Sequence, residues 1–314
     1  MSKKTAVLLA GFGGPATPSE VRPFIESVAQ GAHIPPERLE DVTRHYDQVG
    51  GFSRYNAFTE RQREALVAFF KKKSLVLPVF VGFMHSHPSF NETFLELQKE
   101  GIQKALVFVL SSFRSYPSYE KYHRRLEEAR AGVSKDSAGS AWKPAIEMEF
   151  ASPFYDHPLF IQAVSQRAIE AMKEASIGDL SKTHVIFTAH SIPEDWAENS
   201  GYAQEFKKSA WLVAQKLGMG SWSLAYQSRS GPPNYPWLEP DINDAIRGLP
   251  KKKGEQVMIV PIGFLCDNVE VLYDLDIAAK KTAEETGLRY ARASTVNDHP
   301  AFIEMIASLI EQRS

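Results

Sequence analysis

Short runs of apolar and β-branched residues, separated by longer amphipathic stretches, recur along the whole chain. This alternation constrains the fold more than any other feature, because it is the pattern of parallel strands joined by crossover helices. Strands are predicted at Thr5–Ala10, Leu75–Phe83, Ala105–Leu110, Ile146–Phe150, His184–Ala189, Ser221–Gln227, Val257–Ile262 and Arg289–Arg292. Helical periodicity covers Arg61–Lys71, Tyr119–Ala131, Phe160–Ala175 and Ala203–Leu217. The expected class is α/β.

From Gly132 to Pro144 the composition turns to Gly, Ser, Ala and charge, which is that of a loop or linker. A boundary there predicts two lobes, 1–144 and 145–314. The lobes read as imperfect copies. An apolar strand runs into His85-Ser86-His87-Pro88 in the first and into His190-Ser191-Ile192-Pro193 in the second, and Val107–Phe113 is echoed by Val257–Phe264. Asp156-His157-Pro158 and Asp298-His299-Pro300 both read as helix openings, with proline in the first turn, so capping explains their histidines better than metal ligation. Two similar α/β lobes bind ligands in the crevice at the carboxyl ends of their strands.

Composition removes several function classes. With 36 basic and 38 acidic residues the formal charge is −2, so no positive field advertises nucleic acid or anionic lipid. The Lys71–Lys73 and Lys251–Lys253 runs read as solvated charge. The single cysteine, Cys266, permits neither a disulfide nor a cysteine cage for zinc or an iron–sulfur cluster. Apolar runs this short predict no transmembrane segment or signal peptide, and the expected location is the cytoplasm. Gly11-Phe12-Gly13-Gly14-Pro15 lacks both the third glycine of a dinucleotide fingerprint and the Gly-Lys-Ser/Thr of a P-loop. Its glycines suit a tight turn or close approach of backbone to a flat ligand.

Two strand ends carry unusual groups. His190 follows the apolar strand ending at Ala189, and position alone favours a hydrogen-bonded core residue there. After the strand ending at Ile262 comes Asp267-Asn268-Val269-Glu270-Val271-Leu272-Tyr273-Asp274-Leu275-Asp276. On an α-helix Asp267, Glu270 and Asp274 would share one face, where like charges repel by roughly 0.2–0.5 kcal/mol per adjacent pair. A helix N-terminus accounts for the first two acids. Asp274 lies beyond its reach, and a stripe without basic partners at matching spacings is better explained by a bound cation.

At this point a family resemblance becomes specific. Ala189-His190-Ser191-Ile192-Pro193, Tyr226-Gln227-Ser228-Arg229-Ser230-Gly231-Pro232-Pro233 with Trp237-Leu238-Glu239-Pro240-Asp241, and Pro261-Ile262-Gly263-Phe264 through Asp276 resemble the signature blocks of ferrochelatases. Phe12-Gly13-Gly14-Pro15, Ile34-Pro35-Pro36-Glu37-Arg38-Leu39 and Gly50-Gly51-Phe52-Ser53 extend the likeness, which is greatest to the soluble Gram-positive and actinobacterial coproporphyrin branch. The resemblance implies two Rossmann-like lobes around a porphyrin cleft, with porphyrin and Fe2+ as substrates. It implies no permanently bound cofactor and no iron–sulfur cluster.

The resemblance assigns metal and proton chemistry to His190 and Glu270 and a metal-guiding role to Asp274. For His85, metal contact and packing carry equal weight. Phe12, Tyr46, Ser53, Tyr116, Ser228, Arg229 and Trp237 match or neighbour positions that line the cleft. For Tyr116 and Trp237 the resemblance alone carries the assignment, since aromatics at strand ends are more often core. Ala278 stands where relatives carry another glutamate, and Asp276 could replace it only on a distorted helix. Ala29-Gln30-Gly31-Ala32 replaces a basic segment, and His45 stands where relatives carry arginine. The expected activity is Fe2+ insertion, with coproporphyrin III favoured over protoporphyrin IX. The competing readings are a chelatase for another tetrapyrrole and metal, or a non-catalytic haem or metal carrier. A haem-accepting or iron-donating protein is the partner the resemblance allows.

Overall fold

The computed structural model describes residues 3–29, 36–134, 145–178, 182–231, 235–250 and 255–313. Gln30–Ala32, Ile34-Pro35, Pro232-Pro233, Lys251–Lys253 and the 135–144 part of the predicted linker lie outside the described residues. The chain divides into two compact units, each built on one four-stranded parallel sheet.

The first unit opens with β1 (Thr5–Gly11), whose apolar residues from Ala6 to Ala10 are buried on both faces. Helices α1 (Pro18–Val28), α2 (Pro36–Gln48) and α3 (Tyr55–Lys72) precede β2 (Val79–Phe83). Then come α4 (Phe90–Lys99), β3 (Lys104–Val109), a π-helical turn at Tyr116–Glu120, α5 (Lys121–Ser134) and β4 (Glu147–Phe150). The sheet order is β2-β1-β3-β4. Ala6, Leu8 and Ala10 share one core with Phe94 and Leu97 of α4, Val107 of β3 and Leu126 of α5. The predicted second strand is too long. Leu75 and Val76 are exposed, Val76 completely, and pairing with β1 begins only at Val79.

The second unit begins with α6 (Pro158–Glu174) and β5 (Thr183–His190), followed by α7 (Glu194–Ser200), α8 (Tyr202–Leu217), β6 (Trp222–Gln227), α9 (Ile242–Arg247) and β7 (Gln256–Val260). The next crossover is a continuous helical segment in three stretches: α10 (Val269–Val271), a π-helical stretch (Leu272–Ala279) and α11 (Lys280–Glu285). Strand β8 (Arg289–Arg292) and helix α12 (Pro300–Glu311) complete the chain. The sheet order is β6-β5-β7-β8. Val271, Leu275, Ala279 and Ala283 press the helical segment onto Val257 and Ile259 of β7 and Ile186 of β5. Nδ1 of His157 accepts the Leu159 N–H and Nδ1 of His299 accepts the Ala301 N–H, both at 3.2 Å, so each imidazole caps the helix it precedes.

Within each unit the strands are ordered second, first, third, fourth, which bears out two Rossmann-like copies. Topology corrects one of the sequence echoes. His85 follows the second strand of its sheet and His190 ends the first strand of the other, so the two His-Ser-x-Pro segments are not equivalent. The echo between Val107–Phe113 and Val257–Phe264 is a true one, since β3 and β7 occupy the same place, and each leads to a crossover with a π-helical stretch. The 144/145 boundary also moves. Because β4 pairs with β3, the first unit runs to Ser152 apart from Ser112–Ser115, which belong to the second, and the chain returns to it from Phe302 on. No helix among the described residues is long and apolar enough to cross a membrane.

Candidate active site

His190 is the last residue of β5, where the strand's hydrogen-bonding partners give out and the chain turns. The turn is braced by the segment before α9. Leu238 N–H donates to Ile192 O at 3.0 Å, Ser191 Oγ donates to Leu238 O at 2.9 Å, and Pro193 pairs with Trp237. Tyr202, buried on α8, donates its hydroxyl to His190 O at 2.8 Å. Gly263 allows the turn after β7 to press against the end of β5, since a Cβ there would lie 2.5 Å from Ala189 Cβ.

The imidazole is oriented through both nitrogens. Nδ1 hydrogen-bonds to the Ser191 carbonyl, which can only accept, so Nδ1 carries the proton. Nε2 faces Glu270 Oε1 at 3.6 Å, with 31% of the His190 side chain and 40% of the Glu270 side chain still open to solvent. Burial would lower the His190 pKa, but the Glu270 carboxylate outweighs it and the net direction is up. Burial would raise Glu270, and the imidazole reverses that, so Glu270 lies below the usual carboxylate range.

Asn268 caps the helical segment by accepting the Val271 N–H at 3.0 Å, and one turn onward Asp274 joins the group. Its Oδ2 accepts from Ser228 Oγ and, at 3.4 Å, from Gln227 Nε2 at the end of β6. Ser228 reaches it from a left-handed backbone conformation, with φ at +63°. Burial and then repulsion by Glu270 overcome the Ser228 hydrogen bond and push Asp274 up to about 6. His190, Glu270 and Asp274 therefore form one electrostatically coupled group. When His190 is neutral, a lone pair on Nε2 faces a carboxylate, an arrangement made favourable by a proton or a cation between them.

The acidic run does not form the single stripe expected of it. Asp267 precedes the helical segment, and Arg292 of β8 takes it out of the site through Nη1 at 2.8 Å, while Asn297 Nδ2 donates to its other oxygen at 2.9 Å. Arg292 also binds Asp276 bidentately, Nε to Oδ1 at 2.6 Å and Nη2 to Oδ2 at 2.8 Å. The helix is distorted, as an Asp276 substitution for the missing glutamate at 278 would require, yet Asp276 is committed to Arg292. Among the described residues, no three His, Cys, Asp or Glu side chains are grouped as a ready-made metal cage.

Of the other expected residues in the second unit, Trp237 is only 9% exposed and lies in the brace beside His190, its ring so close to Gly231 that a Cβ there would approach to 2.3 Å. Ser228 serves Asp274, and Arg229 donates Nη2 to Tyr235 O at 3.0 Å. In the first unit, the Phe12 and His85 rings pack with centroids 4.8 Å apart and their planes tilted by 51°, and Phe24 lies edge-on to Phe12, His85 and the buried Tyr46. Ser53 is buried beneath Gly14, its hydroxyl accepting the Tyr55 N–H at 3.2 Å, and Tyr116 is exposed at the start of the π-helical turn. His85 is held neutral, pushed down to about 4 by burial and the positive charges of Lys121 and Arg125. Its Nδ1 is 3.3 Å from Ser27 Oγ, and its Nε2 is buried with no hydrogen-bond partner among the described residues. Sequence reasoning missed Tyr202, Gln227 and Arg292. Gln227 and Arg292 stand at the ends of predicted strands, and nothing in their local pattern shows which distant carboxylate they meet.

The family model described as Ferrochelatase matches residues 4–314. A ferrochelatase of Rhodopirellula baltica is 38% identical over 307 residues, covering 98% of this chain and 85% of that protein. The coproporphyrin III ferrochelatase of Mycobacterium avium is 37% identical over 310 residues, covering 98% and 87%, and that of Propionibacterium freudenreichii is 38% identical over 319 residues, covering 99% and 87%. Among solved structures, SirB from Bacillus subtilis with Fe3+ aligns with a TM-score of 0.62 at 14% identity, over 99% of this chain and 97% of that one, a likeness of fold alone.

Proposed function

The chain belongs to the ferrochelatase family, and from that premise we propose that it inserts Fe2+ into coproporphyrin III, with His190 and Glu270 as the reacting pair. The observation that carries this reading is the orientation of His190. Its Nδ1 proton is committed to Ser191, which leaves the Nε2 lone pair facing Glu270 for a proton or Fe2+. Insertion replaces two pyrrole N–H bonds with iron–nitrogen bonds, so two protons leave as Fe2+ enters. Neutral imidazole accepts a proton at Nε2, and the ionised Glu270 stabilises the imidazolium that forms. Asp274, pushed up to about 6, takes up or releases a proton near neutrality and is the next acceptor along the helical segment.

Fe2+ is a substrate in this scheme and not a resident cofactor. Coproporphyrin III is favoured because several relatives are coproporphyrin III ferrochelatases, and protoporphyrin IX is the alternative ring. Phe12, Tyr46, Ser53, Tyr116, Arg229 and Trp237 are proposed to line or support the ring site, and His85 is proposed as a second neutral metal contact. The proposed setting is the cytoplasm, with a protein that delivers iron or accepts haem as partner. The deciding experiment is an anaerobic comparison of kcat/KM for Fe2+ with coproporphyrin III and protoporphyrin IX, using wild type and His190→Ala. A higher value for protoporphyrin IX would overturn the choice of ring, and undiminished turnover in His190→Ala would overturn the assignment of the pair.

A further inference from the structure

The Arg292 network lies apart from the reacting pair. Asp274 and Asp276 are two residues apart on the helical segment and so point to roughly opposite sides of it. Asp274 turns to Ser228 and Gln227, and Asp276 turns to Arg292. Every branch of the guanidinium is used, Nε and Nη2 on Asp276, and Nη1 on Asp267 and on Ala293 O at 3.1 Å. Two residues earlier on β8, Tyr290 donates its hydroxyl to Leu275 O at 2.7 Å. That carbonyl also accepts the Lys280 N–H five residues ahead, the bond that defines the π-helical register.

Attachment to the sheet does not account for this network, because Val271, Leu275 and Ala279 already bury the helical segment against β7. A buried ion pair adds little net stability compared with apolar packing, since desolvation offsets its Coulomb attraction. What a planar fork holding two carboxylates adds is direction. We infer that Arg292 is a positioning residue for metal reception, fixing the rotation of the helical segment so that Glu270 and Asp274 face His190, and keeping Asp267 and Asp276 in ion pairs so that they do not compete for the incoming cation. Tyr290 is the second anchor, acting on the backbone where Arg292 acts on a side chain.

This inference rests on the reading of His190 and Glu270 as the metal-receiving pair. It is tested in the full chain with Arg292→Lys, which keeps the charge and loses the fork, and with Asp276→Asn, which leaves the Arg292–Asp267 pair intact. The readouts are Co2+ affinity of the porphyrin-free protein by titration, KM for Fe2+, KM for porphyrin, and the thermal midpoint. The expected result for Arg292→Lys is a roughly tenfold loss of Co2+ affinity with a matching rise in Fe2+ KM, as for groups that orient metal ligands, while porphyrin KM is unchanged. Asp276→Asn shifts the same two constants in the same direction by less. A folded Arg292→Lys protein with wild-type Co2+ affinity and Fe2+ KM overturns the inference. If that variant fails to fold, unchanged constants in Asp276→Asn overturn it instead. His190→Ala is the control, since wild-type Co2+ affinity and turnover there would remove the underlying reading and not the Arg292 inference alone.

Discussion

Nε2 of His190 lies 3.6 Å from Oε1 of Glu270, with the other imidazole nitrogen already hydrogen-bonded to the Ser191 carbonyl. Only Nε2 is left to exchange partners, so under the proposed assignment a proton and Fe2+ compete for the same lone pair. Glu270 raises the His190 pKa, so the proton is held to higher pH than in free imidazole. KM for Fe2+ should therefore rise as pH falls through the His190 pKa, while KM for porphyrin stays nearly flat. Initial-rate measurements at fixed ionic strength across that range check this, and a pH-independent metal KM would separate His190 from metal binding.

Replacing His190 with alanine removes the proposed acceptor without emptying the neighbouring packing. Turnover should fall by about 10²–10⁴, the usual span for a general base, with porphyrin affinity, read by fluorescence quenching, changed little. Loss of porphyrin binding in step with turnover would point to a structural role.

Glu270→Gln and Asp274→Asn should fail differently. The first removes the charge that stabilises imidazolium, so kcat should drop by about 10². The second removes a carboxylate held one helical turn away by Ser228 and should mainly raise KM for Fe2+. Steady-state kinetics with both substrates varied distinguishes the two, and wild-type constants in both variants would reduce the pair to a solvated helix face.

The raised Asp274 pKa has a signed consequence for stability. A carboxyl near 6 in the folded protein and 3.8 unfolded binds its proton more tightly when folded. Its contribution is fully present below the unfolded value and is lost as pH rises through about 6. Asp274→Asn should therefore gain stability over wild type between pH 4 and 7, by at most about 3 kcal/mol from the linkage and less where water reaches the group. Urea unfolding at several pH values checks the slope, and a constant difference across the range would contradict it.

Tyr202→Phe tests the support beneath His190. It leaves the His190 carbonyl without its buried partner, which costs about 1–3 kcal/mol, and it should lower kcat only severalfold. Equilibrium unfolding alongside kinetics checks both parts.

The last prediction concerns the ring. If catalysis favours a distorted, partly deprotonated macrocycle, a nonplanar N-alkylated porphyrin should inhibit more tightly than its planar parent binds, competing with porphyrin and not with iron. Equal affinity, or competition against Fe2+ alone, would mean that the protein does not select distortion.

The central strands were legible because their apolar runs are buried parallel strands, and β1, β5 and β7 are buried along nearly their whole length. His190 and Glu270 were legible as chemistry-bearing residues beside strand ends, together with their family resemblance. The division of the acidic run was not legible. Its basic partner, Arg292, lies 25 residues after Asp267 and 16 after Asp276, on a strand whose place in the sheet depends on long-range pairing. The boundary near residue 144 failed for a related reason, since loop composition marks a break in the chain and cannot tell a crossover within one sheet from a passage between two.

Ser228 shows how this protein resists improvement by stability alone. At φ of +63° its backbone occupies a conformation that suits glycine, and a side chain there costs about 1–2 kcal/mol. Glycine would relieve that cost but lose a hydrogen bond to a part-buried carboxylate, a change of similar size, so a selection that scored only melting temperature would barely distinguish the two residues. Glycine would nonetheless delete the hydroxyl that holds Asp274, and with it the support for the proposed role of that carboxylate in receiving iron. Libraries built on this scaffold therefore need to be screened for turnover at residue 228.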